Sequence, residues 1–272
     1  MDLIFFDLDG TLLNNASEIS TFTKDTLGLL SEKDIAYTVA TGRTMLAAKH
    51  LIEDHAFTLP HIYNNGVTIW DPEHESLTLE NLLDNAEIST VLSIATSHNI
   101  TPFVNTLENH HHNIYFPDPQ TEVEKELVNK HFSRSDATLL PLAAMPSNAQ
   151  VTNISMIGDS SAITDIWKTL NSYSNLIAYS GPAIQGQNCR WLDVHHCMAS
   201  KGGAVENLKN RLGASNVICF GDSDNDLSMF ALANESYAPE NASDEVKHAA
   251  NAVIGHHHKD GIAHFLRERF SL

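Results

Sequence analysis

The run Leu3-Ile4-Phe5-Phe6 is apolar at every position and breaks at once into Asp7-Leu8-Asp9-Gly10-Thr11. A strand without a polar face must be buried on both sides, which a parallel sheet covered by helices provides. Similar runs recur at Ile35 to Ala40, His61 to Tyr63 and Val217 to Phe220. Between them, 20–31 carries Phe22, Leu27, Leu29 and Leu30, and 201–212 carries Ala204, Val205, Leu208 and Leu212, both read as amphipathic crossover helices. The rhythm predicts an α/β fold built on a Rossmann-like, doubly wound parallel sheet.

The middle of the chain alternates on its own account. Helices near 85–98, 121–132 and 163–171, with strands near 101–107, 113–116, 151–157, 176–179 and 189–194, make a set that can fold as a separate α+β layer. The expected organisation is a core from 1–82, an inserted α+β cap domain from 83–194, and the rest of the core from 195–272.

Composition narrows the function. With 16 Lys+Arg against 34 Asp+Glu the net charge is −18, and there is no basic run, so the electrostatic footprint of a nucleic-acid binder is missing. A small anion stays compatible, because one cation in a cleft outweighs a diffuse surface charge at short range. The N-terminus has no basic region and no stretch of 18 apolar residues exists, so neither a signal peptide nor a membrane span is expected. Three cysteines without C-x-x-C spacing indicate neither disulfides nor a thiolate zinc site, and the expected compartment is the cytoplasm.

Three core strands end in reactive groups: Asp7, Thr41, and Asp222 after Val217 to Gly221. In open α/β sheets the ligand crevice lies at the carboxyl ends of the strands, so these groups should converge. Asp7 and Asp9, one residue apart, would face the same side of an extended chain, and Gly10 permits a sharp turn after them. A close pair of carboxylates repels by about 4 kcal/mol at ~4 Å and an effective dielectric near 20, so adding Asp222 requires a cation. All-oxygen ligands select a hard ion such as Mg²⁺ over zinc, and that ion would let one acid attack a phosphorus atom. Lys201 can neutralise phosphate charge, while the Thr41 hydroxyl and the amides of Thr41 and Gly42 can donate to its oxygens.

Together Asp7-Leu8-Asp9-Gly10-Thr11, Thr41-Gly42-Arg43, Lys201-Gly202 and Gly221-Asp222-Ser223-Asp224-Asn225-Asp226 resemble the four motifs of the haloacid dehalogenase superfamily. Their order and spacing are similar to its Cof-type branch, whose large cap lies between the second and third motifs. Asn64-Asn65-Gly66 and Asp260-Gly261-Ile262-Ala263 resemble further segments of that branch. The resemblance implies that Asp7 is a nucleophile forming an aspartyl-phosphate and that Asp9 is the acid/base. It implies that Asp7, the backbone carbonyl of Asp9 and Asp222 hold Mg²⁺ with Asp226 in support. It also implies that Thr41, Gly42, Lys201, Asn225 and the amide of Leu8 hold the phosphate. In place of the branch's usual Gly-Asn-Ala segment the chain reads Pro239-Glu240-Asn241-Ala242.

D-x-D-G-T arises by chance in roughly one of 10⁵ windows, so it carries weight that a lone D-x-D does not. Asp222 to Asp226 also opens like a calcium loop, but Leu227 and Ala233 stand where that loop needs Gly and Glu. Gly158-Asp159-Ser160 lacks an acid four residues on and reads as a strand-to-helix turn capped by Asp159 or Ser160. Adjacent histidines at 110–112 and 256–258 would ordinarily point apart into solvent. The second run is the exception to watch, because it precedes Asp260-Gly261. Trp70, Trp167 and Trp191 are expected in the core or at a domain seam, and Arg43 either beside phosphate or paired with a nearby acid.

The expected activity is Mg²⁺-dependent hydrolysis of a small phosphorylated metabolite such as a sugar phosphate. The alternatives are a phosphoryl transferase or mutase and a non-enzymatic phospho-acceptor module. Specificity would depend on cap side chains, among them Asn105, His110, His111, Asn113, Tyr115 and Asn153, which spacing alone does not rank.

Overall fold

In the computed structural model, which describes residues 1–108, 111–183 and 188–272, the chain divides into two units: Met1–Thr78 with Ser200–Leu272, and Leu79–Ala199. The division falls a few residues outside the expected limits of 83 and 194. The chain opens with β1 (Asp2–Phe6), α1 (Thr21–Glu32), β2 (Ala36–Val39), α2 (Met45–Ile52), β3 (His61–Tyr63), β4 (Thr68–Asp71) and β5 (Ser76–Leu79). The insertion holds α3 (Asn85–Ser97), β6 (Phe103–Glu108), β7 (His111–Phe116), α4 (Glu122–Lys130), β8 (Thr138–Pro141), β9 (Val151–Asp159), α5 (Ser160–Leu170), β10 (Leu176–Pro182) and β11 (Cys189–His196). The first unit then resumes with α6 (Lys201–Leu212), β12 (Asn216–Phe220), α7 (Leu227–Phe230), β13 (Glu235–Pro239), α8 (Asp244–Ala249), β14 (Ala252–Ile254) and α9 (Gly261–Phe270).

The main sheet of the first unit runs β14-β13-β12-β1-β2, and every neighbouring pair is parallel. Alternate residues of β1 explain its unbroken hydrophobicity. Ile4 and Phe6 pack with Leu27, Leu30 and Leu266 on one face, while Leu3 and Phe5 pack with Val205 and Leu208 on the other. Strand order reverses between β1 and β12, so the switch point of the sheet lies beyond Phe6 and Phe220.

His61 to Tyr63 does not join this sheet as a full strand. It pairs antiparallel with β4 in a separate three-stranded sheet, and meets the main sheet through an Ala40–Ile62 bridge while Ile62 and Tyr63 pack into the core. Helix α6 begins where Ser200 accepts a bond from the Gly203 amide, which places Lys201 in its first turn.

The second unit is a six-stranded sheet in the order β10-β11-β9-β6-β7-β8, antiparallel except between β7 and β8. Val91, Ala95, Ile163 and Ile166 of α3 and α5 cover Val104, Ile154 and Val194. Asp159 caps α5 by accepting from Ser161, as the Gly-Asp-Ser turn predicts. Trp70 is buried, but Trp167 and Trp191 are exposed, against expectation. Trp167 uses its Nε1–H on the Ala178 carbonyl, so its ring lies along the surface instead of in the core.

Candidate active site

Asp7 follows β1 and Asp222 follows β12 by two residues, so the switch point gathers them. Asp7, Asp222 and Asp226 each bring a carboxylate oxygen within 4.8 Å of the others. Lys201, wholly buried, sits among them, with Nζ 2.5 Å from Asp7 Oδ1 and 2.6 Å from Asp226 Oδ1. The Asp226 Oδ2 accepts from the amides of Asp222 and Ser223, so this acid shapes the loop that carries Asp222. Gly10 is left-handed at φ 69°, and a side chain there would run into the Asp222 carboxylate.

Three acids surround one lysine, so negative charge is in surplus. Burial pushes the Asp7 carboxyl well above the ordinary carboxylate range, with Lys201 pulling it down and Asp226, Asp222 and Asp9 raising it. Burial and the Asp226 charge push Asp222 up to about 7. An all-oxygen, over-charged pocket of this kind fits a hard divalent cation and offers nothing to a soft one.

Asp9 behaves differently from the extended-chain expectation. Strand β1 ends at Phe6, and the bonds from the Leu12 amide to the Asp7 carbonyl and from Leu13 to Leu8 close a tight turn. The Asp9 carboxylate therefore leaves the Asp7 group and lies 55% exposed, held by Arg43 through Nε at 2.6 Å and Nη2 at 2.5 Å. Of the two expectations for Arg43, the structure shows the ion pair. Its guanidinium is held above its ordinary range by the bonds to Asp9.

Thr41 is buried, and its amide is spent on the Ile62 carbonyl at 2.9 Å, so it cannot be the phosphate donor the sequence suggested. Its hydroxyl accepts from the Arg43 amide and keeps its own proton to donate. Gly42 packs beside Asn225 and Asn65, which are joined by an Asn225 Nδ2–H bond to Asn65 Oδ1 at 2.9 Å. The side chain of Leu8 is buried in the core, fixing the backbone between the two acids. Asn65 was given no role by sequence, although Asn64-Asn65-Gly66 is left-handed at all three residues, a conformation its composition favours. Where the chain departs from the branch pattern, Asn241 donates to the Gly10 carbonyl at 2.7 Å and fastens the D-x-D-G-T loop.

In the second unit, the register pairs Asn105 with Asn153 and Ser155 with Asp193 on the sheet face opposite Val104 and Ile154. Asn105 donates to Ser155 and accepts from His112, and Asn153 donates to both Ser155 and Asp193. Of the specificity candidates, Asn105 and Asn153 thus share one network. Tyr115 lies in the apolar core, His111 is exposed, Asn113 is half-buried outside the network, and His110 lies outside the described residues.

Burial raises the Asp193 carboxyl above its ordinary range. A raised acid loses stability as pH climbs from the ordinary range near 4 toward the folded value, so Asp193→Asn should gain on the parent over that interval. Thermal unfolding across a pH series checks this, and a constant difference from acid to neutral pH would refute it.

Residues 4–266 match the family of haloacid dehalogenase-like hydrolases. The chain belongs to this family. This haloacid dehalogenase-like hydrolase is 28% identical over 276 residues to the pyridoxal phosphate phosphatase YbhA of Escherichia coli (strain K12), covering 97% of each chain. It is 26% identical over 286 residues to the 5-amino-6-(5-phospho-D-ribitylamino)uracil phosphatase YwtE of Bacillus subtilis (strain 168), covering 100% of this chain and 99% of that protein. A solved haloacid dehalogenase-like hydrolase from B. subtilis superposes with a TM-score of 0.80 at 26% identity, over 98% of this chain and 99% of the other. No helix among the described residues is long and apolar enough to cross a membrane.

Proposed function

We propose that this hydrolase is a phosphatase of small phosphorylated metabolites, working through an aspartyl-phosphate on Asp7 with Mg²⁺ as its cofactor. The observation that supports it most is the buried Asp7 carboxylate, fixed by Lys201 beside Asp222 and Asp226 at the switch point. The two named phosphatases that match along nearly its whole length support the same reaction class.

Asp7, the Asp9 backbone carbonyl and Asp222 would hold the cation, with Asp226 in support. When bound, Mg²⁺ screens the acids from the incoming phosphate and stabilises charge on its oxygens. Lys201, the Thr41 hydroxyl, the Gly42 and Leu8 amides and the Asn225 amide group orient the phosphate. An Asp7 oxygen attacks phosphorus as the ester P–O bond breaks, and Asp9 gives its proton to the departing alkoxide. Asp9 then takes a proton from water, which attacks the aspartyl-phosphate, releasing phosphate and restoring Asp7. For this, the Asp9 carboxylate must leave Arg43.

Phosphate release from a panel of phosphorylated metabolites, without an added acceptor, tests the reading. Release should require Mg²⁺ and stop with a chelator. Transfer only to an added hydroxyl acceptor would make the protein a transferase or mutase, and a stable phosphoprotein without turnover would make it an acceptor module.

A further inference from the structure

We propose that His256, His257 and His258 form a binding site for a zinc-type divalent transition metal, separate from the carboxylate cluster. Three successive residues of an extended chain point apart, but this segment is curled. The Lys259 amide donates to the His256 carbonyl at 3.0 Å and the Asp260 amide to that of His257 at 3.2 Å. The rings are drawn together, with centroids 3.9 Å apart for His256 and His258, 5.0 Å for His256 and His257, and 5.6 Å for His257 and His258. A ring nitrogen from each lies within 4.8 Å of the others.

The protons on these rings fit a metal site. The Nδ1 atoms of His256 and His258 are 2.6 Å apart. Two lone pairs or two N–H groups at that separation repel, so the pair shares one proton. A metal ion with bonds of about 2.0–2.1 Å would replace that proton once the two nitrogens part to about 3.3 Å. His257 donates its Nδ1–H to the Leu13 carbonyl at 2.8 Å, which leaves its Nε2 with the lone pair. A ring fixed by a bond from its other nitrogen to a backbone carbonyl is the usual arrangement of a metal-ligating histidine.

The turn is also tied down from outside. Asn241 accepts from the His257 amide, and Asp260 accepts from the hydroxyls of Ser20 and Thr23. The turn that gathers the rings is therefore set before any ion arrives, which lowers the ordering cost of binding. Neutral imidazoles suit zinc, nickel or copper, whereas the carboxylate cluster suits a hard ion, so the two sites select different metals.

Calorimetry of untagged protein in excess Mg²⁺ should show one tightly bound Zn²⁺. His257→Gln and the pair His256→Gln with His258→Gln should each weaken that binding by about tenfold or more. Asp7→Asn should keep it. Zinc-edge anomalous diffraction from soaked parent crystals needs no variant, and should place a peak among the three rings. Equal Zn²⁺ binding in parent and histidine variants, no tight Zn²⁺ in the parent, or an anomalous peak only elsewhere would overturn the proposal.

Discussion

Asp7→Asn should fold as well as the parent and release phosphate slower by roughly four orders of magnitude or more, as expected when a covalent nucleophile is lost. The amide keeps the size and one acceptor oxygen of the carboxylate, so the β1 terminus and its bond to the Phe220 carbonyl need not move. It removes one of three crowded negative charges, while Lys201 retains Asp226 at 2.6 Å. Melting temperature should therefore hold or rise as turnover disappears. Steady-state phosphate release beside a thermal melt checks both halves, and parent-like turnover in the folded variant would exclude Asp7 as the nucleophile.

Lys201→Met carries the largest stability effect. The methionine fills similar volume, but Asp7, Asp222 and Asp226 are left together without their buried cation. Removing one partner of a buried ion pair costs about 3 to 5 kcal/mol. In a unit of this size that is a fall in melting temperature on the order of ten degrees, measured in chelator. Millimolar Mg²⁺ should restore part of the loss by supplying the missing charge, while turnover stays low because the phosphate still lacks the ammonium. Unchanged stability in chelator would show that Lys201 does not balance the cluster.

The meeting of Asp7, Asp222 and Lys201 is readable in sequence because it depends on a few local patterns. Apolar runs mark parallel strands, strand ends mark the crevice, and amphipathic spacing places Lys201 at the head of α6. The Asp9 orientation is not readable, because it is set by the turn at 8–12 and by Arg43, a partner more than thirty residues away. The assignment of His61 to Tyr63 to its own sheet was hidden for a related reason: an apolar run signals burial and leaves the pairing partner open. The Thr41 amide was likewise spent on a neighbour, Ile62, that no spacing announces. The edge strand β14 is only three residues long, with two of them exposed, so it gave no periodic signal.

The central claim is that Asp7 becomes phosphorylated. Its most direct test is mass spectrometry of protein quenched in acid during turnover of an activated aryl phosphate, using the parent and Asp9→Asn, in which loss of the base should let the intermediate accumulate. The account predicts a single added phosphoryl group on the peptide holding Asp7. Steady phosphate release with that peptide unmodified in both proteins, or with the phosphoryl group on another residue, would contradict it.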